Sequence, residues 1–492
     1  MTHDARQPGA LTVQALLALY GGAVAVRALA LVASHGGVPD GDWPVYARVA
    51  GNILNGCGVS LSVPGQGECV PHFGGNGLPG YPAFVAAVWA VTAHTKAAVQ
   101  WAQVFAASVS VPVLARAAAA LAGRRAGMIT GVVMAVSPLQ ASLVRYGGAE
   151  SLSVAAAALL LAALLLSIKA GRLRVLPVAA WLGLGIFLRL DFIAFALPVA
   201  VVGIALEGVA RAAWRGTVLA ALLCVPLGAW TARNLTEAVP VLPPARGWML
   251  PDGSVGPLGY KAWLAQWVTN ADQRAAAMFF DGDHYDEIQW RPGPFRDADQ
   301  DAAAAALLYD LRAHSGHPFP ADIDTGFAAL AHQAAARHGV SGEIALRVAQ
   351  ALGFWQSWAE LLPPDARPPG EMSARLMLQW LHAALSGGIG SMVNVVTRFY
   401  RLVLGAGLIG AILAWPCWGR TARVVLLAGL GLVVAKTVIG VVGLFIEPRY
   451  TLTAVPAIEL ALALCAALSR QPRPHGQKFF ASFLQNRRPV IF

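Results

Sequence analysis

The sequence predicts an all-α, polytopic membrane protein, and three observations predict it. The chain is 57% hydrophobic and only 13% charged over 492 residues, too apolar for the surface of a soluble protein. Apolar runs long enough to cross a hydrocarbon core of roughly 30 Å recur along it. Basic residues gather in alternate connections between those runs, as cytoplasmic loops do. The net charge of +10 therefore reads as membrane topology plus a basic tail, and no nucleic-acid partner is expected.

The elements follow in order. The run 11–34 is too long for the core of a cleaved signal and reads as a signal anchor. The polar, Gly-rich loop 35–96 comes next. Within it Pro44 suits a first helical turn, and Tyr46, Val49, Ala50, Ile53 and Leu54 fall at i, i+3, i+4, i+7 and i+8. That spacing predicts an amphipathic helix on the membrane surface, ended by Asn55, Gly56 and Gly58. The segment 79–93 is too short to span and predicts a second interfacial helix. Spans follow at 97–121, 126–143 and 151–168.

One helix over 175–207 would be roughly 48 Å long, beyond the core thickness of roughly 30 Å. Two short spans meeting at Arg189 and Asp191 are expected instead. After the span 214–231, the region 235–397 predicts a mostly helical soluble domain or lid, with helices near Asp301–Ala313 and Thr325–His338. The last spans are 399–416, 421–445 and 450–468, which makes ten in all.

Charge gives the orientation. With the N-terminus in the cytoplasm, Arg124 and Arg125, then Lys169, Arg172 and Arg174, then Arg211 and Arg215, then Arg420 and Arg423 all lie in cytoplasmic loops. The basic tail 471–492 lies there too. If 79–93 spanned, this agreement would be lost. The external face receives 35–96, the turns 144–150 and 189–191, the region 235–397 and the turn 446–449.

Several residues on that face break the expected pattern. A carboxylate held at a membrane boundary is a functional-site candidate, and Asp42 heads the first surface helix, where the helix dipole favours its ionised form. A base and a plain capping residue are both open readings. Arg145, Arg189, Arg233 and Arg449 stand at external span ends, where positive charge is normally depleted. They suit phosphate binding, and equally a structural ion pair or snorkelling. Glu150 opens a span and is suited to orient a substrate, to help hold a metal or simply to favour a helix start. His72 lies in the first loop, as a surface residue or a substrate contact. Cys57 and Cys69 face an oxidising compartment and are a candidate disulfide. The acidic group Asp281, Asp283, His284, Asp286 and Glu287 lacks EF-hand spacing and reads as solvated surface.

At this point the chain resembles a family, the GT-C membrane glycosyltransferases, in the branch similar to protein O-mannosyltransferases and lipid A aminoarabinose transferases. Asp42, Tyr46 and the sequence GNILNGCG resemble the family's acidic first-loop motif, with PGYP at 79–82 opening the second interfacial helix. Glu150, FLRL around Arg189, AWTARN at 229–234 and PRYTLTAVP at 448–456 follow in the family's order. Leu190 departs from the usual proline after the arginine, and Asp40 offers a second acid beside Asp42.

The resemblance implies a GT-C fold. Its transmembrane module would occupy 1–234 with a catalytic loop at 35–96, followed by an external domain over 235–397, C-terminal helices over 398–470 and the tail. It also implies an inverting transferase of a bacterial inner (plasma) membrane, with external active site and cytoplasmic termini. The enzyme would move a sugar from a polyprenyl-phosphate donor to a membrane-associated lipid, glycan or protein hydroxyl. Asp42 would be the base, with Asp40 the second candidate. Arg449, Arg233, Arg189 and Arg145 would meet the donor phosphate, and Tyr46, Glu150, His72 and Tyr450 would position substrate. A divalent cation is a candidate cofactor that no residue pattern demands. The alternative is a transporter or lipid flippase, whose charges would sit nearer the midplane on broken helices.

Overall fold

The computed structural model describes residues 10–33, 42–62, 69, 71, 78–237, 257–278, 284–290, 298–356, 388–415, 418–443 and 448–468. Among them the architecture is all-α, with one isolated bridge between Ser60 and Pro71. Seven described helices or helix pairs are long and apolar enough to cross a membrane, and the chain is a multi-pass membrane protein. Shorter apolar helices at Val175–Leu188, Phe399–Leu413 and Thr451–Ala467 match the remaining expected spans.

Helix α1 (Val13–Val32) is capped by Thr12, whose hydroxyl accepts from the Ala15 N–H at 3.2 Å. Helix α2 (Trp43–Leu54) is the first surface helix, and it buries Tyr46, Val49 and Ala50 as its spacing requires. It ends at Asn55, after which Gly56 takes a φ of 84° that favours glycine. Helix α3 (Gly80–Trp89) has ten residues, about 15 Å at the helical rise, so it cannot cross. A Cβ on Gly80 would collide with the Phe187 carbonyl; glycine lets the start of α3 press against the chain just before Arg189.

The next two spans are interrupted by proline. Helices α4 (Lys96–Ser108) and α5 (Ser110–Ala122) part at Val109, three residues before Pro112, which cannot donate to the Ser108 carbonyl. Helices α6 (Arg124–Val136) and α7 (Pro138–Ser142) part at Ser137, which caps α7, and a 3-10 turn Leu143–Arg145 follows. Helix α8 (Glu150–Ala170) is the most enclosed span. The expected break in 175–207 is present: α9 (Val175–Leu188) stops, a 3-10 segment Leu190–Phe195 intervenes, and α10 (Ala196–Glu207) resumes. Helix α11 (Val209–Thr236) carries Pro226 and is the least buried span.

A second hydrophobic core lies in 257–356. Helices α12 (Leu258–Leu264), α13 (Ala271–Met278), α14 (Ala298–Ala313) and α15 (Ala321–Gln356, kinked at Gly339) supply it. Tyr260, Trp263, Trp267, Tyr285, Phe327 and Phe354 fill it. The chain closes with α16 (Gly388–Leu413), α17 (Arg420–Val442), a 3-10 segment Pro448–Ala454 and α18 (Val455–Leu468). Helix α15 packs on α17 through Phe354, against Gly440, and Trp355, whose indole N–H donates to the Thr437 hydroxyl at 2.7 Å.

Candidate functional site

One end of the bundle gathers most of the residues singled out above. The Trp43 ring lies against Gly147, so the start of α2 sits on the turn between Arg145 and Glu150. Asp42 is the residue preceding α2, as its sequence position predicts, but its side chain does not accept the capping hydrogen bond. One turn on, Tyr46 packs edge-on against Tyr81 of α3, with ring centroids 4.7 Å apart. Gln103 of α4 donates to the Tyr81 hydroxyl and, at 3.4 Å, to the Gly148 carbonyl. Tyr46 and Tyr81 are 3% and 1% exposed, so these rings hold α2 to the bundle and do not face an open site. Burial pushes the Tyr81 phenol well above its usual range, and the neighbouring Tyr46 and Glu150 push the same way against the Gln103 hydrogen bond. The phenol therefore stays neutral.

Glu150 leads to the densest charge cluster. Arg189 Nη1 donates to Glu150 Oε1 at 2.7 Å, and Arg189 Nε to Asp191 Oδ1 at 3.1 Å. Asp191 Oδ2 accepts from Lys436 Nζ of α17 at 2.5 Å. The break between α9 and α10 explains why Arg189 reaches this position. Its backbone is extended at φ −154°, ψ 124° between a helix and a 3-10 segment, which turns the guanidinium back towards α8. Of the readings open for Arg189, the ion pair is the one its hydrogen bonds express.

The other arginines differ in their engagements. Arg145 is buried; its Nε donates to the Ser142 carbonyl at 3.1 Å and its guanidinium lies 5.8 Å from the Tyr146 ring centre. Arg233, at the end of α11, donates to the Val59 carbonyl at 2.7 Å and to Asn234 Oδ1 at 3.0 Å, over the Trp230 ring at 5.1 Å. It thereby anchors the first loop. Asn52 adds hydrogen bonds of 2.9 Å to the Ser60 and Ser62 carbonyls, and Cys57 and Cys69 are joined as a disulfide across a Cα separation of 5.3 Å. Arg449 and Tyr450 lie on the segment Pro448–Ala454, which packs on α8 and α17 beside the cluster; their side chains, Asp40 and His72 lie outside what the structure describes.

No three His, Cys, Asp or Glu side chains converge among the described residues. Glu150 and Asp191 are drawn together by Arg189, which takes one oxygen of each.

Lys436, Arg27 and Glu459 are important residues that the motif reading passes over. Each is an ionisable side chain inside an apolar run, and that alone was a signal. Arg27 and Glu459 form a second buried network. Arg27 Nη2 donates to Gln140 Oε1 at 3.1 Å, Gln140 Nε2 to Glu459 Oε2 at 2.6 Å, and the Tyr400 hydroxyl to Glu459 Oε1 at 2.8 Å.

No family model and no curated protein matches the chain. Among solved structures it is similar to one described as the crystal structure of ArnT from Cupriavidus metallidurans in the apo state, at 15% identity and a TM-score of 0.36, over 88% of this chain and 77% of that one.

Proposed function

We propose that the protein is a GT-C-type membrane glycosyltransferase that takes a sugar from a polyprenyl-phosphate donor. The observation that carries this reading is the packing of Trp43 on Gly147. It sets Asp42, the acid at the head of a membrane-surface helix, at the same bundle end as Glu150 and Arg189. One acid, several cations and access from the bilayer are what sugar transfer from a lipid phosphate requires.

In this reading Asp42 accepts the proton of the acceptor hydroxyl as that oxygen attacks C1 of the sugar. The C1–O bond to the phosphate breaks on the opposite face, which inverts the anomeric centre, and its electron pair leaves with the lipid phosphate. The transition state is oxocarbenium-like, by analogy with glycoside hydrolysis. Arginines at this end, Arg449, Arg233, Arg189 and Arg145, stabilise the growing phosphate charge, with Glu150 orienting Arg189. The acceptor is a membrane-associated hydroxyl.

The test is a mass-spectrometric transfer assay with a panel of polyprenyl-phosphate sugars, using full-length protein in lipid. Asp42→Asn is expected to lose about 10²–10⁴-fold in rate, the usual worth of a general base, while remaining folded. Full activity in that variant would sink the assignment of the base and move it to Asp40.

A further inference from the structure

The charge cluster is built from parts far apart in sequence, and its least exposed member has no role in the transfer scheme above. Lys436 sits in the middle of α17, in the run LGLVVAKTVIGVV, and its side chain is 1% exposed. A lysine in an apolar helix is costly to bury and persists where its charge is matched and used. Here it is matched by Asp191, which also holds Arg189, which also holds Glu150. Lys436 and Arg189 are cationic, Asp191 and Glu150 anionic, so the four sum to zero.

We propose that Lys436 is a positioning residue for the donor phosphate. It acts through Asp191, and the inference rests on the transferase reading. By holding the far oxygen of Asp191, Lys436 fixes the near oxygen on Arg189 Nε, and so fixes the plane of the guanidinium against Glu150. It also cancels one of the two carboxylate charges beneath the site. Without it the cluster carries a net charge of −1 at the place where an anionic lipid must dock. Lys436 touches no substrate; it sets the field and the geometry around Arg189, which keeps 10% of its side-chain surface exposed.

The experiment measures donor KM and kcat, and binding of the bare polyprenyl phosphate, on full-length protein in nanodiscs. The variants are Lys436→Met, Lys436→Arg, Asp191→Asn with Lys436→Met, and wild type. Thermal unfolding is followed in parallel. Lys436→Met is expected to weaken donor KM and lipid-phosphate binding by about tenfold, the effect of one unmatched charge at roughly 10 Å in an effective dielectric near 20. Its kcat stays within about twofold, since the charge acts on docking and not on C1. Lys436→Arg restores most of the affinity. The double variant removes both charges and returns KM to near wild type. A folded Lys436→Met protein with unchanged KM and lipid-phosphate binding overturns the proposal and leaves the transferase reading standing. So does a Lys436→Met loss of affinity that only tracks a loss of thermal stability and is regained wherever stability is regained whatever the charge, because that marks a purely structural pair. A wild-type protein that neither binds the lipid phosphate nor transfers any sugar sinks the transferase reading, and this proposal with it.

Discussion

The two buried ionic networks are built in opposite ways. In Glu150–Arg189–Asp191–Lys436 the charges touch directly, at 2.7, 3.1 and 2.5 Å. In Arg27–Gln140–Glu459–Tyr400 the two charges are kept apart by the Gln140 amide, which donates to one and accepts from the other. Their settings differ too. Glu150 keeps 8% of its surface exposed, whereas Arg27 and Glu459 keep 1%, as does Lys436 at the inner end of the first network. The first network occupies a broken helix at the first-loop end, where the chain has backbone freedom to turn an arginine. The second joins α1, α16 and α18 through Gln140 on the short helix α7. A partly open, charge-balanced network is able to respond to an arriving anion. A sealed network bridged by an amide serves to fix helices in register.

The largest effect should come from unbalancing the first network. Asp191→Leu removes the carboxylate that serves both cations. It leaves Lys436 buried without that carboxylate and takes from Arg189 one of the two acids it pairs with. Breaking a buried pair in this way costs about 3–5 kcal/mol, measured as reversible unfolding in mixed micelles. A loss below about 1 kcal/mol would mean that water reaches Lys436 freely, against its burial. In the second network Gln140→Leu should cost less, about 1–3 kcal/mol. Glu459 keeps the Tyr400 hydrogen bond and Arg27 keeps the Ala23 carbonyl at 3.3 Å. Equal losses in the two variants would erase the distinction between a direct and a bridged network.

The same contrast shows what the sequence could reveal. The span pattern, the two short surface helices and the break at Arg189 were all legible, because each depends on local spacing: a 3.6-residue stripe, a run too short to cross, a run too long for one helix. The pairing of those residues was not legible. Lys436 meets Asp191 across 245 positions and Gln140 meets Glu459 across 319, and no periodicity encodes such partners. Arg189 illustrates the limit. Its position at a span end suits a phosphate site and an ion pair equally, and only the fold brings Glu150 from 39 residues away to decide its hydrogen bonds. Tyr46 shows the same thing from the other side. Its stripe position implied a helix face turned to the membrane and the motif suggested substrate contact, whereas the ring packs against Tyr81 inside the protein.

The smallest effect is also the sharpest test of the first network. Thr437 follows Lys436 on α17 and accepts the Trp355 indole N–H from the end of α15. Thr437→Val keeps the side-chain shape and deletes that interhelical contact, together with the hydroxyl's local bond to the Val433 carbonyl at 2.7 Å. Interhelical hydrogen bonds of this kind are worth about 0.6 and at most about 1.7 kcal/mol. Amide exchange at the last turn of α15 should therefore rise about threefold, and at most about twentyfold. Donor KM should hardly move, because the Lys436–Asp191 pair is untouched. If Thr437→Val raised KM as far as Lys436→Met, the shared cause would be a shift of α17 and not the charge on Lys436. The directly paired network would then be a structural tie like its sealed counterpart, and the contrast between the two would reduce to a difference in depth.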